Sequence, residues 1–369
     1  MAQSQTAVRT GIDGSFVASH NIPVPSCSPD ALLVKVYSVA LNPSDYKMAR
    51  LVNKPGLIVG CDFAGEIVEI GCEANRIERP GRAPWVVGDR VCGAVHGSNS
   101  RHPAWGAFAQ FVEADPAVLL RIPTGWNWHD AAAVGGSCVG AVGLALFCQM
   151  GLSLSVTGGS NSSANDPKKV VLVYGGSSAC GTMALQVLKA AGYTPIAVCS
   201  PHNNSLAKSY GAVACFDYHS PQCAQQVKAY TRNSLSLVLD CIGTVTSMAL
   251  CYEAIGRAGG RYVSLEKLPA AATSSRPTVR SSWAMGPLMF GRRIDMGEYS
   301  FEPDPAARDF GRKWYALVEE LVESGQLRAH PVQVLDDDAG SWVSAVQQGL
   351  QTMQEGKISG VKLVVSVAK

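Results

Sequence analysis

The chain has 369 residues, and its 31 basic side chains nearly balance its 29 acidic ones. At roughly 150 residues per domain, this length predicts two domains. Because no strong positive field is available to hold a phosphate backbone, nucleic acid is not an expected partner. Hydrophobic residues make up 47% of the chain and charged residues only 16%, a composition that excludes a wholly disordered protein.

Cysteine usage and the N-terminal segment indicate the cellular compartment. The 12 cysteines form no C-x-x-C pair and are spread through apolar runs, which is typical of buried thiols in a reducing compartment. The segment MAQSQTAVRTGIDGSF has no basic region followed by an apolar core, so it predicts neither a secretory signal nor a lipid anchor. We therefore expect a cytoplasmic protein.

Residues 1–150 carry valine- and glycine-rich strands separated by turns, which predicts an all-β or barrel-like domain. The clearest strand candidates are LLVKVYSVAL (32–41), FAGEIVEIG (63–71) and GDRVCGAVH (88–96). Residues 131–148 carry no charge and approach the length of a membrane span. This segment is dominated by Ala and Gly and lacks flanking basic anchors, so we interpret it as a buried helix and expect no membrane association.

From Lys168 onward, short β-branched runs alternate with helical stretches, a pattern typical of a doubly wound parallel sheet. The predicted strands are KVVLVY (169–174), TPIAVC (194–199), VACFD (213–217), LSLVLDC (235–241) and GRYVSL (260–265). The helices predicted between them cover about 178–191, 203–211, 221–232 and 244–257.

The remaining segments complete the predicted α/β organisation. The polar stretch 155–169 predicts a surface loop near the domain boundary. Two helices, at about 305–325 and 339–355, precede a closing strand VKLVVSV (361–367), and we expect the last helix and this strand to return to the first domain. The predicted domains are therefore 1–150, completed by about 330–369, and a nucleotide-binding domain at 151–329.

A strand that runs into a small-residue turn and then a helix occupies residues 170–192. Such a turn allows the pyrophosphate of a dinucleotide to approach the backbone and the helix N-terminus. Gly175, Gly176 and Gly181 stand in the turn, but Ser178 and Ala179 interrupt a strict G-x-G-x-x-G. An ordinary tight turn between strand and helix is the alternative interpretation.

The segment after the next strand, CSPHNNSLAKSYGA (199–212), bears on the choice of cofactor. An enzyme that uses NAD would place Asp or Glu there, on the ribose 2′-hydroxyl. This chain has Ser200 and His202, with Lys208 further on and no acid. A 2′-phosphate would meet no carboxylate, which favours NADPH over NADH, although His202 and Lys208 could equally be solvated helix residues.

Four motifs occur in the order ALNPSDYKM (40–48), GCDFAGEIVEIG (60–71), GDRVCGAV (88–95) and GAFAQF (106–111). Together they resemble the zinc-free, quinone-oxidoreductase side of the medium-chain dehydrogenase/reductase superfamily. Further motifs are similar to the trans-acting enoyl reductases of fungal polyketide synthases: LVYGGSSA (172–179), CSPHN (199–203), IGRAGGRYVSL (255–265), GPLMFG (286–291) and KISGVKLVV (357–365). The resemblance implies a GroES-like β-barrel-type catalytic domain plus a doubly wound Rossmann domain.

The residues present argue against a metal. Zinc-dependent members of that superfamily place Cys where this chain has Asn42-Pro43-Ser44, and His-Glu where it has Cys61-Asp62. A catalytic zinc needs Cys, His or carboxylate ligands around an open position. We therefore predict no metal, the alternative being a site built on Cys61, Asp62 and a distant His.

The resemblance places the nicotinamide end of NADPH beside the NPSDYK segment, at Ser44, Asp45, Tyr46 and Lys47. Lys47 is the first candidate for stabilising an enolate or relaying a proton, and Tyr46 the second, because an ammonium or phenol can donate and be replenished from water. The alternative is an ordinary turn in which Ser44 or Asp45 caps a short helix.

Other site residues are implied only by the resemblance. The further NADPH contacts are Ser177, Ser178, Ala179, Cys180, Ser200, Pro201, His202, Asn203, Tyr218, Leu265, Glu266, Ser359 and Gly360. The acyl chain would be lined by Gly135, Gly136, Ser137, Cys138, Val139, Gly140, Ala141, Val142, Gly286, Pro287, Leu288, Met289 and Phe290. Relatives often have a proline where this chain reads GGSCVG (135–140), so this wall departs from the family pattern.

The expected function is NADPH-dependent reduction of α,β-unsaturated acyl thioesters held on the carrier domain of a partner. That partner would be a highly reducing polyketide synthase or a synthase–peptide synthetase hybrid. A monomer is compatible with the sequence. The alternatives are a free-standing quinone or enone reductase, which would share every cofactor residue, and an NADPH-binding scaffold without turnover.

Overall fold

Two extended β-sheets organise the computed structural model, which describes residues 4–153, 170–335 and 341–368. The chain divides into two compact units. Unit 1 comprises Met1–Gly140 and Pro287–Lys369, and unit 2 comprises Ala141–Gly286. The loop predicted at 155–169 lies outside the described residues.

The N-terminal part of unit 1 contains the predicted strands and three helices. Its elements are β1 (Ser4–Thr10), β2 (Phe16–Pro23), β3 (Leu32–Ala40), α1 (Pro43–Val52), β4 (Asp62–Ile70), β5 (Arg90–Ala94), β6 (Phe111–Ala114), β7 (Leu119–Arg121), α2 (Trp128–Val134) and α3 (Gly136–Gly143). Helix α3 extends past Gly140, the last residue of this part of unit 1, and continues into a π-helical segment of unit 2, Leu144–Gln149. In the described part of the chain, this is the one helical stretch, Trp128–Gln149, that is long and apolar enough to cross a membrane, and 78% of its most apolar window is buried.

Unit 2 is built by alternation of strands and helices. Its elements are β8 (Val170–Tyr174), α4 (Ala179–Ala190), β9 (Thr194–Val198), α5 (Asn204–Ser209), β10 (Cys215–Phe216), α6 (Cys223–Tyr230), β11 (Leu237–Asp240), α7 (Val245–Ala254), β12 (Gly260–Ser264), α8 (Ala270–Thr273) and β13 (Val279–Trp283). The strands pair in parallel in the order β10-β9-β8-β11-β12-β13. This is the Rossmann order, with the chain reversing direction across the sheet beside β8.

The chain then returns to unit 1 through α9 (Pro305–Glu323), β14 (Val332–Val334), α10 (Trp342–Gln354) and β15 (Lys362–Ser366). Strand β15 pairs antiparallel with β3 and parallel with β14, so the sheet of unit 1 runs β14-β15-β3-β4-β5-β7, and β6 pairs with β3. The predicted return of the closing strand to the first part of the chain is thus observed. Its side chains Leu363 and Val365 pack into the core of that unit.

The compact units differ from the expected domain bounds in two segments, because residues 141–150 belong to unit 2 and residues 287–329 belong to unit 1. Helix α9 packs against the early part of unit 1 through its buried face. Trp314 donates from Nε1 to the carbonyl of Val139 at 2.8 Å. The buried Glu319 carboxylate pairs with Arg79 and accepts the backbone N–H of Arg121 at 3.1 Å. These contacts join the helix to β7 and to the start of α3.

Candidate functional site

The first candidate cofactor segment is the turn between β8 and α4. Gly175 has a φ of +75°, and a Cβ added at Gly181 would lie 2.2 Å from the carbonyl oxygen of Gly175. A Cβ added at Gly176 would lie 2.6 Å from that of Ala197. Glycine is therefore required for the helix to approach the strand closely, as in dinucleotide-binding turns. The chain forms a cradle of this kind although the strict glycine spacing is absent.

The N-terminus of α4 is capped from within the same turn. Ser178 has extended backbone, and its Oγ accepts a hydrogen bond from the N–H of Gly181 at 3.0 Å. The other predicted contacts in the turn, Ser177, Ala179 and Cys180, are half-buried. Each of these three residues consequently keeps part of its surface accessible to a ligand.

Two side-chain contacts bring the predicted cofactor residues of unit 2 together. Asn203 donates from Nδ2 to Ser177 Oγ at 3.3 Å, and Ser200 Oγ lies 3.0 Å from the hydroxyl of Tyr218. Residues 199–212 contain no Asp or Glu. The edge of the sheet after β9 therefore carries hydroxyl and amide groups and no carboxylate, which would repel the phosphate of a ligand.

Asp240, at the end of β11, organises the neighbouring edge of the same sheet. Its buried carboxylate accepts the backbone N–H of Gly243 at 2.9 Å and the hydroxyl of Tyr262 at 2.8 Å. The backbone N–H of Leu265 donates to the carbonyl of Asp240 at 3.0 Å, and a Cβ added at Gly243 would lie 2.4 Å from that of Glu266. Asp240 thus positions the turns that contain Leu265 and Glu266. Asp240 was not predicted as a site residue, although an acid at the end of the apolar run LSLVLDC (235–241) was a signal for it.

The NPSDYK segment forms the N-cap and the first turn of α1, as the alternative interpretation allowed, but the N-cap residue is Asn42 rather than Ser44 or Asp45. Pro43 is the first helical residue, and the N-cap Asn42 donates from its backbone N–H to Asp45 Oδ2 at 2.7 Å. Lys47 is exposed, and Tyr46 is half-buried with the Arg50 guanidinium 5.6 Å from its ring. Of the predicted nicotinamide-side residues, Lys47 and Tyr46 are therefore accessible, whereas Asp45 is fully buried.

Asp45 belongs to what we call the interior polar cluster, formed by Asn42, Asp45, Asp62 and Lys362, all buried. Asn42 donates from Nδ2 to Asp62 Oδ2 at 2.8 Å. The Lys362 ammonium donates to Asn42 Oδ1 and lies 3.4 Å from Asp62 Oδ2 and 4.0 Å from the sulfur of Cys138. The cluster therefore pairs one ammonium with the Asp62 carboxylate and holds a second carboxyl group, Asp45, in the interior of unit 1.

Burial and charge shift the proton affinities of groups in and beside this cluster. Burial first, and the charge of Asp62 second, raise the pKa of Asp45 to about 7. Burial also raises the pKa of the adjacent Cys61 thiol well above its usual range, with the charges of Asp45 and Asp62 adding to the effect. Near neutral pH, part of the Asp45 population is consequently the uncharged acid.

The predicted acyl wall at 135–140 is tied to the interior polar cluster. The backbone N–H of Ser137 donates to Asp62 Oδ1 at 2.8 Å. The Tyr315 hydroxyl donates to the carbonyl of Gly136 at 2.6 Å, and a Cβ added at Gly136 would lie 2.2 Å from the backbone nitrogen of Ala94. Glycine at 136 is therefore required by packing against β5. Ser137 and Ala141 are half-buried, and the other predicted residues of the wall are buried: Gly135, Gly136, Cys138, Val139, Gly140 and Val142.

The second predicted part of the acyl wall is a 3-10 turn, Gly286–Phe290. Its Met289 is buried, and the other four residues are half-buried. Phe290 lines a cavity of about 20 Å³ in unit 1 together with His96 and Trp105. The Nε2 atom of His96 is buried there and has no hydrogen-bond partner among the described residues. This volume has room for one water-sized group.

The remaining predicted cofactor residues lie at the surface or near it. Pro201, His202 and Ser359 are exposed, Tyr218 is 41% exposed, and Gly360 is half-buried at a φ of +68°. Within residues 4–153, 170–335 and 341–368, no three His, Cys, Asp or Glu side chains are grouped to hold a metal ion. Asp62, one of the alternative zinc ligands, pairs with Lys362.

Both units match known families, and close relatives cover the whole chain. Residues 28–124 match the alcohol dehydrogenase GroES-like domain, and residues 179–290 match the zinc-binding dehydrogenase family. Trans-enoyl reductase ucsL of Acremonium sp is 50% identical over 390 residues, covering 99% of this chain and 98% of that protein. The chain belongs to the trans-enoyl reductases of the medium-chain dehydrogenase/reductase superfamily. Trans-enoyl reductase ccsC of Aspergillus clavatus is 42% identical and covers 100% of this enzyme and 97% of its own length.

Solved structures share the fold of this trans-enoyl reductase. A putative zinc-dependent alcohol dehydrogenase from Rhizobium etli superposes with a TM-score of 0.75 at 24% identity, covering 100% of both chains. The CurK enoyl reductase superposes with a TM-score of 0.69 at 17% identity, covering 99% of this chain and 100% of its own. The predicted fold, a GroES-like domain with a Rossmann sheet, is confirmed, and reductases of this superfamily take their hydride from NADH or NADPH.

Proposed function

We propose that this trans-enoyl reductase uses NADPH to reduce α,β-unsaturated acyl thioesters on the carrier domain of a polyketide synthase. The observation that carries the proposal is the end-to-end likeness to trans-enoyl reductases, together with the glycine cradle at residues 175–181. The partner is a highly reducing polyketide synthase or a synthase–peptide synthetase hybrid. The reductase meets it in the cytoplasm as a monomer.

The residues of unit 2 fit the cofactor. A side chain at Gly176 or Gly181 would collide with Ala197 or with the carbonyl of Gly175, so glycine at these positions allows α4 to begin close to the end of β8. The N-terminus of the 12-residue helix α4 favours negative charge in this turn. The phosphates are assigned to this turn. Ser200 and His202 are assigned to the 2′-phosphate, because they offer polar donors without the repulsion of a carboxylate. This arrangement favours NADPH over NADH.

The chemistry divides between the cofactor and α1. When bound, the nicotinamide supplies a hydride to the β-carbon of the unsaturated thioester. Negative charge then develops on the thioester oxygen, and a donor placed in advance stabilises it. We assign this donor to Lys47, with Tyr46 second, because both are accessible and can be replenished with a proton from water. Protonation of the α-carbon completes the reduction.

The acyl chain is assigned to the segments 135–142 and 286–290. The first is held by Asp62, Tyr315 and Trp314 through hydrogen bonds of 2.6 to 2.8 Å. A wall fixed in this way keeps its shape when substrate binds.

Reconstitution tests the proposal. The purified reductase is combined with the partner synthase, malonyl thioester and NADPH, and the product is analysed by mass spectrometry with and without the reductase. We expect products with two more hydrogens per reduced double bond only when the reductase is present. Identical products in both reactions would contradict the proposal.

A free-standing quinone reductase is the second candidate, because the quinone oxidoreductase of Coxiella burnetii has the same fold, with a TM-score of 0.66 at 20% identity. Oxidation of NADPH by simple quinones but not by unsaturated thioesters would identify that activity. Cofactor binding without any substrate-dependent oxidation would instead identify a scaffold for a synthase.

A further inference from the structure

Lys362 is an unusually placed lysine, because its side chain is only 4% exposed and lies at the start of β15, in the interior of unit 1. Lysine is almost never fully buried unless it is paired. Its ammonium contacts Asn42, Asp62 and Cys138, which lie 320, 300 and 224 positions away in the sequence. One cation therefore contacts three segments that are distant from it in the sequence.

Each partner of Lys362 fixes a different segment. Asn42 is the N-cap of α1, so its contact with Lys362 anchors the first turn of the helix that carries Tyr46 and Lys47. Asp62 accepts the N–H of Ser137 at 2.8 Å, so the contact between Lys362 and Asp62 anchors the turn that begins α3. The Asn42 amide also bonds Asp62 at 2.8 Å. The ammonium consequently lies at the junction of the assigned donors and the assigned acyl wall.

The charges explain why a neutral side chain would not replace this lysine. Removing one partner of a buried ion pair leaves an uncompensated charge, which is strongly destabilising for its surroundings. Without Lys362, the Asp62 carboxylate would be buried next to a second carboxyl group, Asp45, with neutral donors only. The segments that carry these carboxyl groups would then shift, or water would enter the cluster, to reduce the cost of the buried charge. Either change would move Asn42 and Ser137.

We propose that Lys362 is a positioning residue for the reduction, which holds the first turn of α1 and the 135–138 turn in one arrangement. The inference rests on the proposed function and adds to it a residue that touches neither substrate nor cofactor. It predicts that loss of the ammonium lowers the rate of the chemical step in molecules that still fold and still bind NADPH.

The test uses the full chain with Lys362→Met, which keeps an unbranched side chain one atom shorter than lysine and removes its charge. The control is Lys357→Met, five residues away, where the side chain is 68% exposed and pairs with Glu355. Single-turnover oxidation of NADPH by a short unsaturated thioester is measured per NADPH-binding site, so unfolded protein does not enter the rate. We expect a rate at least tenfold lower for Lys362→Met, NADPH affinity within twofold of the parent, and no change in the control.

Amide hydrogen exchange supplies a readout that is independent of activity. Peptides covering 42–48 and 135–142 should both exchange faster in Lys362→Met than in the parent. Neither peptide should exchange faster in Lys357→Met. If Lys362→Met does not fold, Lys362→Arg, which retains the charge on a wider head group, should fold and show a smaller loss of rate with faster exchange in the same two peptides. A rate per site within twofold of the parent, or faster exchange in only one of the two peptides, would overturn the proposal.

Failure of the parent enzyme to reduce any thioester would refute the proposed function instead, and the exchange result would still decide whether Lys362 couples the two segments.

Discussion

Asp45 and Asp62 share one buried cluster, in which the burial of Asp45 and the charge of Asp62 raise the pKa of Asp45 to about 7. Asp62 keeps close contacts with Asn42, Ser137 and Lys362, whereas the Oδ1 atom of Asp45 has no hydrogen-bond partner among the described residues. The Asp45 carboxylate therefore has few hydrogen-bond donors to offset the cost of burying its charge. The pair therefore makes the stability of unit 1 depend on pH.

The first prediction concerns that dependence. The pKa of Asp45 is higher in the folded protein than in the unfolded chain, so the folded state binds more protons between about pH 4 and pH 7. Its stabilising contribution is complete below this window and is lost as the pH rises through about 7. The free energy of unfolding of the parent minus that of Asp45→Asn, measured with urea at intervals of one pH unit, should fall across the window. The exposed Asp30→Asn is the control, and parallel curves for the parent and Asp45→Asn would contradict the assignment.

The second prediction has the opposite sign. Burial, followed by the charge of His102, lowers the pKa of His96 to about 4. The unfolded chain therefore binds more protons below about pH 6.5, and the contribution of His96 is present above that pH and lost as the pH falls toward 4. His96→Gln should flatten this acid limb, measured by thermal unfolding from pH 4 to 7, whereas the exposed His20→Gln should leave it unchanged. An acid limb of unaltered slope in His96→Gln would show that another group causes it.

The third prediction concerns the donor on α1. Lys47→Ala should leave NADPH binding within a few fold and lower single-turnover reduction of a short unsaturated thioester by ~10²-fold, the usual scale for one acid–base or oxyanion group. Lys54→Ala, at an exposed position just beyond the same helix, is the control. A rate for Lys47→Ala within fivefold of the parent would contradict the assignment of Lys47 as the donor and indicate that Tyr46 or solvent supplies the proton.

The fourth prediction concerns cofactor choice. NADPH should bind at least tenfold more tightly than NADH in isothermal titration, a difference of about 1.4 kcal/mol. Ser200→Asp should reduce or reverse this preference, because a carboxylate repels the 2′-phosphate and accepts from the 2′-hydroxyl. Equal affinities of the parent for the two cofactors would contradict the inference that residues 200–203 select NADPH.

Much of the fold could be predicted from the sequence, because the alternation of β-branched runs with helical stretches is a local pattern that is typical of a parallel sheet. The strand at Val279–Trp283 was missed, since VRSSW has no aliphatic run and its strand structure depends on pairing with β12. The strand expected at 213–217 is limited to Cys215–Phe216. The N-cap of α1 could be predicted from local signals, namely Asn42 followed by Pro43 and by Asp45 at the third helical position.

The interior polar cluster could not be predicted in this way. Lys362 and Asn42 are 320 positions apart, and no periodicity or motif in either segment points to the other. The placement of residues 305–323 in unit 1 was missed for the same reason, because it depends on Glu319 meeting Arg79 and Arg121 across the chain. Contacts of this kind arise only from the tertiary fold. The roles predicted for Lys47, Tyr46 and the other site residues stay predictions.

The most direct test of the central claim follows the hydride itself. The enzyme is given a short α,β-unsaturated thioester and NADPH that carries deuterium at C4 of the nicotinamide, each C4 epimer in turn, and the product is analysed by mass spectrometry and NMR. The account predicts that one of the two epimers gives a saturated thioester with one deuterium at the β-carbon and none at the α-carbon. Deuterium at the α-carbon, or oxidation of NADPH by quinones with the thioester recovered unchanged, would contradict it.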